Sequence, residues 1–298
     1  MFNQIQTLEW LIEDANENVR YLTAKNILNM PQCSLKRLKH NIKSDITYID
    51  AIANQNEDGS LGSGNVWDGT PAILLKLVQR GFDISDPNIH KSCRHILEYQ
   101  DKNYRWAAML NQDLSEYHHC YAVDSFFLKT LLLAGFPPLD IRVRKSFAKV
   151  IKQQSKDGGW GKGCKKFEKG MSCPFKTLQV IHALSLVQLP QYEHKLEQGV
   201  KFLNSYLKIK SQQQINELLL KRLDILEFLK IAVDILPKED LNWAKKWALT
   251  YYNGTYFQLP KFLKENCLTY GDYFSDKMSK EFFSYHLTYF MFKLNTSS

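Results

Sequence analysis

The chain has little of what interrupts a helix. Only 9 prolines and 14 glycines occur in 298 residues, and the glycines cluster in a few short phrases. Because Pro and Gly are the costliest residues in a helix interior, long stretches are left free to be helical. Cysteine is also sparse: six residues, at 33, 93, 120, 164, 173 and 267. They form no C-x-x-C pair and no dense framework, which excludes a small disulfide-stapled domain. No run approaches the roughly 18 uninterrupted apolar residues of a membrane span. The opening MFNQIQTLEW lacks the basic head and apolar run of a signal peptide. These absences predict a cytoplasmic protein with reduced thiols and no transmembrane segment.

A hydrophobic fraction of 44 % is enough for a substantial core and excludes a disordered chain. Lys and Arg total 39 against 31 Asp and Glu, a net charge of +8. Such an excess favours acidic partners such as phosphates, nucleic acid or an anionic membrane surface. It is spread along the chain, however, with short concentrations at 36–40 and 165–170. No nucleic-acid-binding motif accompanies it, so a nucleic-acid partner is not expected.

One phrase recurs after helical stretches. It reads QNEDGSLGSG at 55–64 and QQSKDGGWGKG at 153–163, with weaker echoes at 99–106 (YQDKNYRW) and 251–257 (YYNGTYF). Repeated punctuation of this kind marks an array of supersecondary units. Between the phrases, apolar and amphipathic helical stretches alternate. The stretches 67–82, 118–136, 173–189 and 223–236 are apolar almost all round. Each is followed by an amphipathic one, at 85–100, 138–154, 191–207 and 238–252. A helix apolar all round is buried, and one with a polar face lies at the surface, so the alternation predicts inner helices covered by outer ones. Two short helices are expected over 5–28, one over 44–55 and a last one over 280–294. Gln55, Gln100 and Gln154 stand 45 and 54 residues apart, a period of stacked helical hairpins. Repeat phase assigns 1–43 to N-terminal helices, 44–252 to a repeat core and 253–298 to a divergent C-terminal segment.

The Q-x-x-x-G-x-W/F phrase after an outer helix resembles the repeat of squalene–hopene cyclases and protein prenyltransferase beta subunits. The opening WLIEDANENVRYLTAKNIL also resembles the start of small prokaryotic relatives of these cyclases. The resemblance implies an all-α fold, an α/α toroid in a single domain, with inner and outer helix barrels around a central cavity. It further implies a prenyltransferase- or cyclase-like protein acting on an isoprenoid or similarly hydrophobic small molecule. Cyclases of this type use a D-x-D-D acid, which is absent. DISDP at 83–87 has the wrong spacing, so Asp124 becomes the single substitute acid. A lone buried carboxyl has a raised pKa and can donate a proton, while the plainer alternative is a carboxylate satisfied by hydrogen bonds.

The resemblance also implies a zinc site. The string Tyr117-His118-His119-Cys120-Tyr121 is similar to the Y-H-T-C-Y of prenyltransferases and puts His118 at a ligand position. Their Asp-Gly-Cys string has partial echoes at Asp68-Gly69-Thr70 and at Met171-Ser172-Cys173. The ligand set is then Asp68, His118, Cys120 and Cys173, of the N, S and O types zinc takes. The basic, glycine-rich segment 159–176 carries Lys162, Lys165, Lys166, Lys169 and Lys176 into a helix N-terminus, where charge and free N–H groups suit an isoprenoid diphosphate. It is not a Walker loop. With 17 Phe, 15 Tyr and 6 Trp, aromatic faces are available to line a pocket and to stabilise cations. Trp67, Tyr121, Phe126 and Phe127 are expected near the inner surface. The alternatives are a noncatalytic pocket for a lipid-like or peptide ligand and a scaffold for a macromolecular partner.

Overall fold

In the computed structural model, the residues described are 2–65, 68–106, 121–161, 170–220, 224–258, 260 and 280–296. Among them the chain is helical, with isolated bridges and no strand. It divides into two compact units, one of residues 46–203 and one of residues 1–45 with 204–298.

The 46–203 unit contains α4 (Ile46–Ala53), α5 (Thr70–Gln79), α6 (Pro87–Glu98), α7 (Tyr121–Leu133), α8 (Ile141–Lys152), α9 (Pro174–Val187) and most of α10 (Pro190–Lys208). The expected alternation is present. Helix α7 is buried without interruption from Val123 to Leu132 and packs against α5, α8 and α9. Helix α8 buries Val143, Phe147, Val150 and Ile151 and exposes Arg144, Lys145 and Lys152. Two entries are capped by aspartate. Asp86 starts α6 by accepting from the Asn88 amide at 3.0 Å, and its other oxygen takes the Tyr48 hydroxyl at 2.8 Å. Asp140 starts α8 in the same way, with the Arg142 amide. Both aspartates remove an orphan donor from a helix N-terminus.

The other unit contains α1 (Gln4–Glu13), α2 (Glu17–Asn26), α3 (Gln32–Asn41), α11 (Gln212–Leu220), α12 (Ile225–Ala232), α13 (Asn242–Leu249) and α14 (Lys280–Thr296). Asn16 caps α2 through the Val19 amide at 3.0 Å. Helix α14 packs against α1, α2 and α12. The sequence reading contains no counterpart of α3 or α11. The former buries a single apolar side chain, Leu35, and its lysines register only as a cluster of charge.

Apart from the last, whose Asn253 amide closes on the Tyr256 carbonyl only three residues on, each recurring phrase forms the same turn. Its first amide reaches across to close the loop: Asn56 to the Ser60 carbonyl, Asp101 to Arg105 and Ser155 to Gly159. A side-chain oxygen of Asp58, Asp101, Asp157 or Asn253 accepts an amide two residues on, an Asx turn. The glutamine then ties the turn to the next outer helix. Gln55 Nε2 donates to the Asn88 carbonyl at 3.0 Å, and Gln154 Nε2 to that of Lys195 at 2.9 Å. Gln100 makes the equivalent, longer contact with Arg142 at 3.4 Å.

Candidate functional site

The sequence expectations converge on the N-terminal ends of the buried helices, and a repeated hydrogen bond organises those ends. The apolar residue that closes each turn donates its backbone N–H to a side-chain oxygen in the following buried helix. Leu61 donates to Thr70 Oγ1 at 2.9 Å, Trp106 to Asp124 Oδ1 at 2.9 Å and Trp160 to Thr177 Oγ1 at 2.9 Å. In the other unit, Phe257 donates to Ser284 Oγ at 3.1 Å. All eight residues are buried. A buried amide left unpaired costs about 1–3 kcal/mol, so each helix needs an acceptor at this position.

Three of the four acceptors are neutral hydroxyls, and the fourth is a carboxyl. Asp124 is 3 % exposed. Burial pushes its pKa up to about 7, against the opposing pull of the Trp106 amide and of Arg105. A carboxyl poised near neutrality can hold or release a proton at working pH. One of its oxygens is committed to the turn. The structure therefore accounts for Asp124 by the same bond that accounts for Thr70, Thr177 and Ser284.

The aromatic neighbours are packed around that bond. Phe127 is fully buried and stacks on the Trp106 indole, with ring centres 5.1 Å apart and planes 3° from parallel. The indole N–H of Trp106 donates to the Ile96 carbonyl at 2.9 Å, and that of Trp160 to Val150 at 2.9 Å. Gly199 lies against the Trp160 ring; a Cβ there would stand 2.8 Å from the indole. Phe126 is also buried and lies 5.4 Å from the ammonium of Lys129, itself 1 % exposed. This buried lysine lies five residues after Asp124 in a helix otherwise apolar, and in the sequence it reads as an ordinary interruption of FFLKTLLL.

Of the expected zinc ligands, Asp68 and Cys173 are described. Asp68 is exposed and accepts the hydroxyl of Ser63 within its own turn. Cys173 is buried at the start of α9, and its amide donates to the Trp160 carbonyl at 2.8 Å. Their registers differ: Cys173 precedes its acceptor Thr177 by four residues, Asp68 precedes Thr70 by two. Among the described residues no three His, Cys, Asp or Glu side chains gather to hold a metal. His118, Cys120, Trp67 and the lysines at 162, 165, 166 and 169 lie outside the described residues, as does the side chain of Tyr121. Lys176 is described, and its stem covers Gly161, where a Cβ would meet its Cδ at 2.4 Å. The aspartates of DISDP serve as turn and cap acceptors.

A second polar cluster, in the other unit, was not anticipated. Lys230 of α12 pairs with the nearly buried Glu227 at 3.6 Å. Its ammonium lies 5.6 Å from the Tyr285 ring and 5.5 Å from the Tyr289 ring of α14. Burial lowers the lysine's proton affinity, and the Glu227 carboxylate, the first of the charges that oppose this, keeps the net shift upward. Burial raises the Tyr289 phenol to about 12. Asn26 of α2 donates to the Tyr285 hydroxyl at 2.8 Å. With both tyrosines protonated and the lysine paired, the cluster fastens α12 and α2 to α14. Its signals, an i,i+3 Glu–Lys pair and an i,i+4 Tyr pair, lie more than fifty residues apart in sequence.

No family model matches the chain, and no curated protein matches it.

Proposed function

We propose that the protein is a helical-hairpin repeat protein of the α/α toroid type, similar to squalene cyclases and prenyltransferase beta subunits, that receives an isoprenoid or similarly hydrophobic molecule among its inner helices. The observation that carries this reading is the hydrogen bond made four times from the residue that closes a turn to a side-chain oxygen of the buried helix that follows. A repeated unit of buried and covering helices is what a two-layered ring requires. The aromatic side chains and the lysines of the 159–176 segment supply the chemistry for a greasy chain bearing an anionic head. Zinc enters the reading only with His118 and Cys120 beside Cys173, where it would activate a substrate thiolate.

Native mass spectrometry of the purified protein, followed by lipid extraction, tests the reading. A retained isoprenoid or comparable hydrocarbon, displaced by added prenyl diphosphate, supports it. A protein that emerges empty and takes up no prenyl diphosphate or prenyl alcohol contradicts it. Metal analysis of untagged protein tests zinc separately: about one zinc per chain supports that ligand set, and a content well below one rejects it.

One observation favours binding without chemistry. Asp124 occupies a position that hydroxyl groups fill in the other three copies, so its presence is explained without a proton-transfer role. Under this second reading, Asp124→Thr retains the bound molecule unchanged. An enzyme relying on Asp124 as its acid loses turnover of a prenyl substrate by a factor of about 100 or more with the same substitution.

A further inference from the structure

The solvent-facing side of α8 combines positive charge with exposed apolar residues. At 100° per residue, Ile141, Lys145, Ala148 and Lys152 lie within about 60° of one another, with Arg144 and Lys149 on the flanks. The opposite side, with Val143, Phe147 and Val150, is buried. The helix IRVRKSFAKVIK has five basic side chains and no acidic one. The 101–106 turn touches this helix: its Tyr104 receives the Lys145 ammonium on its hydroxyl at 3.0 Å and over its ring at 4.6 Å.

The acids of this region are already committed. Asp101 holds Arg105 at 3.1 Å, and Asp140 holds Arg142 at 3.3 Å. Arg144, Lys152 and Lys102 have no acidic partner among the described residues and are exposed. Where α8 begins, Leu139 is 67 % and Ile141 45 % exposed. The charge points to a polyanion. Two large aliphatic side chains held in water where the basic helix begins point to a surface with an apolar layer under its phosphates. Nucleic acid presents no such layer to a helix lying on its backbone, whereas an anionic bilayer does.

We propose that this face of α8 docks the protein on an anionic phospholipid surface, with Leu139 and Ile141 entering the headgroup layer while Arg144, Lys145 and Lys152 contact lipid phosphates. The dock does not depend on the hydrophobic-ligand reading, and an empty protein would show it equally. Each basic side chain near such a surface strengthens binding about fivefold. Burying even half of each aliphatic side chain adds a similar factor.

Co-sedimentation of the full chain with phosphatidylcholine vesicles, with and without phosphatidylglycerol, tests the proposal. Binding is expected only with phosphatidylglycerol and should weaken as salt rises. The triple variant Arg144→Glu/Lys145→Glu/Lys152→Glu is expected to weaken it by a factor of about 100 or more. The pair Leu139→Ser/Ile141→Ser should weaken it roughly tenfold at any salt concentration. The same charge change on α3, Lys36→Glu/Arg37→Glu/Lys39→Glu, is the control for net charge and should leave binding within about twofold. All these side chains are at least partly exposed, and an unchanged thermal midpoint checks that the variants fold. The proposal is overturned by equal binding to both vesicle types, by binding to neither, or by an α3 variant as impaired as the α8 one. It is also overturned if a DNA duplex binds as tightly as the vesicles and the Leu139/Ile141 variant binds normally, for the face is then a general polyanion site.

Discussion

The second and third copies of the turn share a closing anchor and differ in what surrounds it. Both close with a buried tryptophan whose indole N–H caps the preceding outer helix. In the third copy the turn uses Gly158 in the left-handed region, φ 87°, and the tryptophan amide meets the hydroxyl of Thr177. In the second copy Tyr104 takes the left-handed position, φ 59°, and the amide meets the carboxyl of Asp124. One copy thus has the residues its geometry favours. The other bears backbone strain and a buried acid in the same geometry, with the Lys145 ammonium resting on the strained tyrosine. Strain and a perturbed titratable group in one place are features by which a site departs from its scaffold.

The largest effect separating the copies from the rest of the chain belongs to the tryptophans. Trp160 is fully buried, and Trp160→Ala should cost about 3–5 kcal/mol in a denaturant titration. A loss below about 1 kcal/mol would mean that the turn does not need its anchor.

Next comes the acid. The folded pKa of Asp124, about 7, lies above the unfolded carboxyl value near 4. The native chain therefore keeps a proton that the unfolded chain releases. The contribution of Asp124 to stability is full below about pH 4 and is lost as pH rises to about 7. Asp124→Thr, copying the third turn into the second, removes that dependence. It should stabilise the protein at pH 8, relative to its effect at pH 4, by about 2–4 kcal/mol. Equal effects at the two pH values would remove Asp124 from the account of pH sensitivity.

The strained position gives a smaller contrast. A Cβ on Gly158 would stand 2.7 Å from the Gln198 carbonyl oxygen, so Gly158→Ala should cost about 2 kcal/mol. Tyr104→Gly trades relief of strain against the loss of its lysine contacts and should shift stability by less than about 1 kcal/mol. Thermal unfolding of both variants decides whether one geometry governs both turns. Smallest is the glutamine. Gln154 makes two good bonds, to Gly158 and Lys195, and Gln154→Ala should cost about 1–2 kcal/mol. Gln100 has one long bond, and its Oε1 finds no hydrogen-bond partner among the described residues, so Gln100→Ala should cost less than about 0.5 kcal/mol.

The same two copies show what a sequence discloses. The buried helices α5, α7 and α9 are legible because their apolar runs leave no polar face, and the turns are legible because Gln, Asp and Gly recur in order. Asp124 stands out as the one acid in an apolar run. Its partner Trp106 is eighteen residues away across segment 107–120, so its equivalence to Thr70 and Thr177 emerges only from the hydrogen bonds. Asp68 and Cys173 look alike as members of two related strings, yet they sit at different distances from their acceptors. Helix α11 opens with three glutamines after a turn, a pattern without the apolar repeat that announces a helix. The tie between α12 and α14 depends on pairing distant helices, which no local pattern encodes.

The account rests most on the claim that the second turn holds a carboxyl where the others hold a hydroxyl. Carbon-13 NMR of the Asp124 side-chain carboxyl, assigned by comparison with Asp124→Thr, reads this directly. The account predicts a protonated carboxyl that ionises near pH 7. A carboxylate that titrates in the ordinary range, near pH 4, would contradict it.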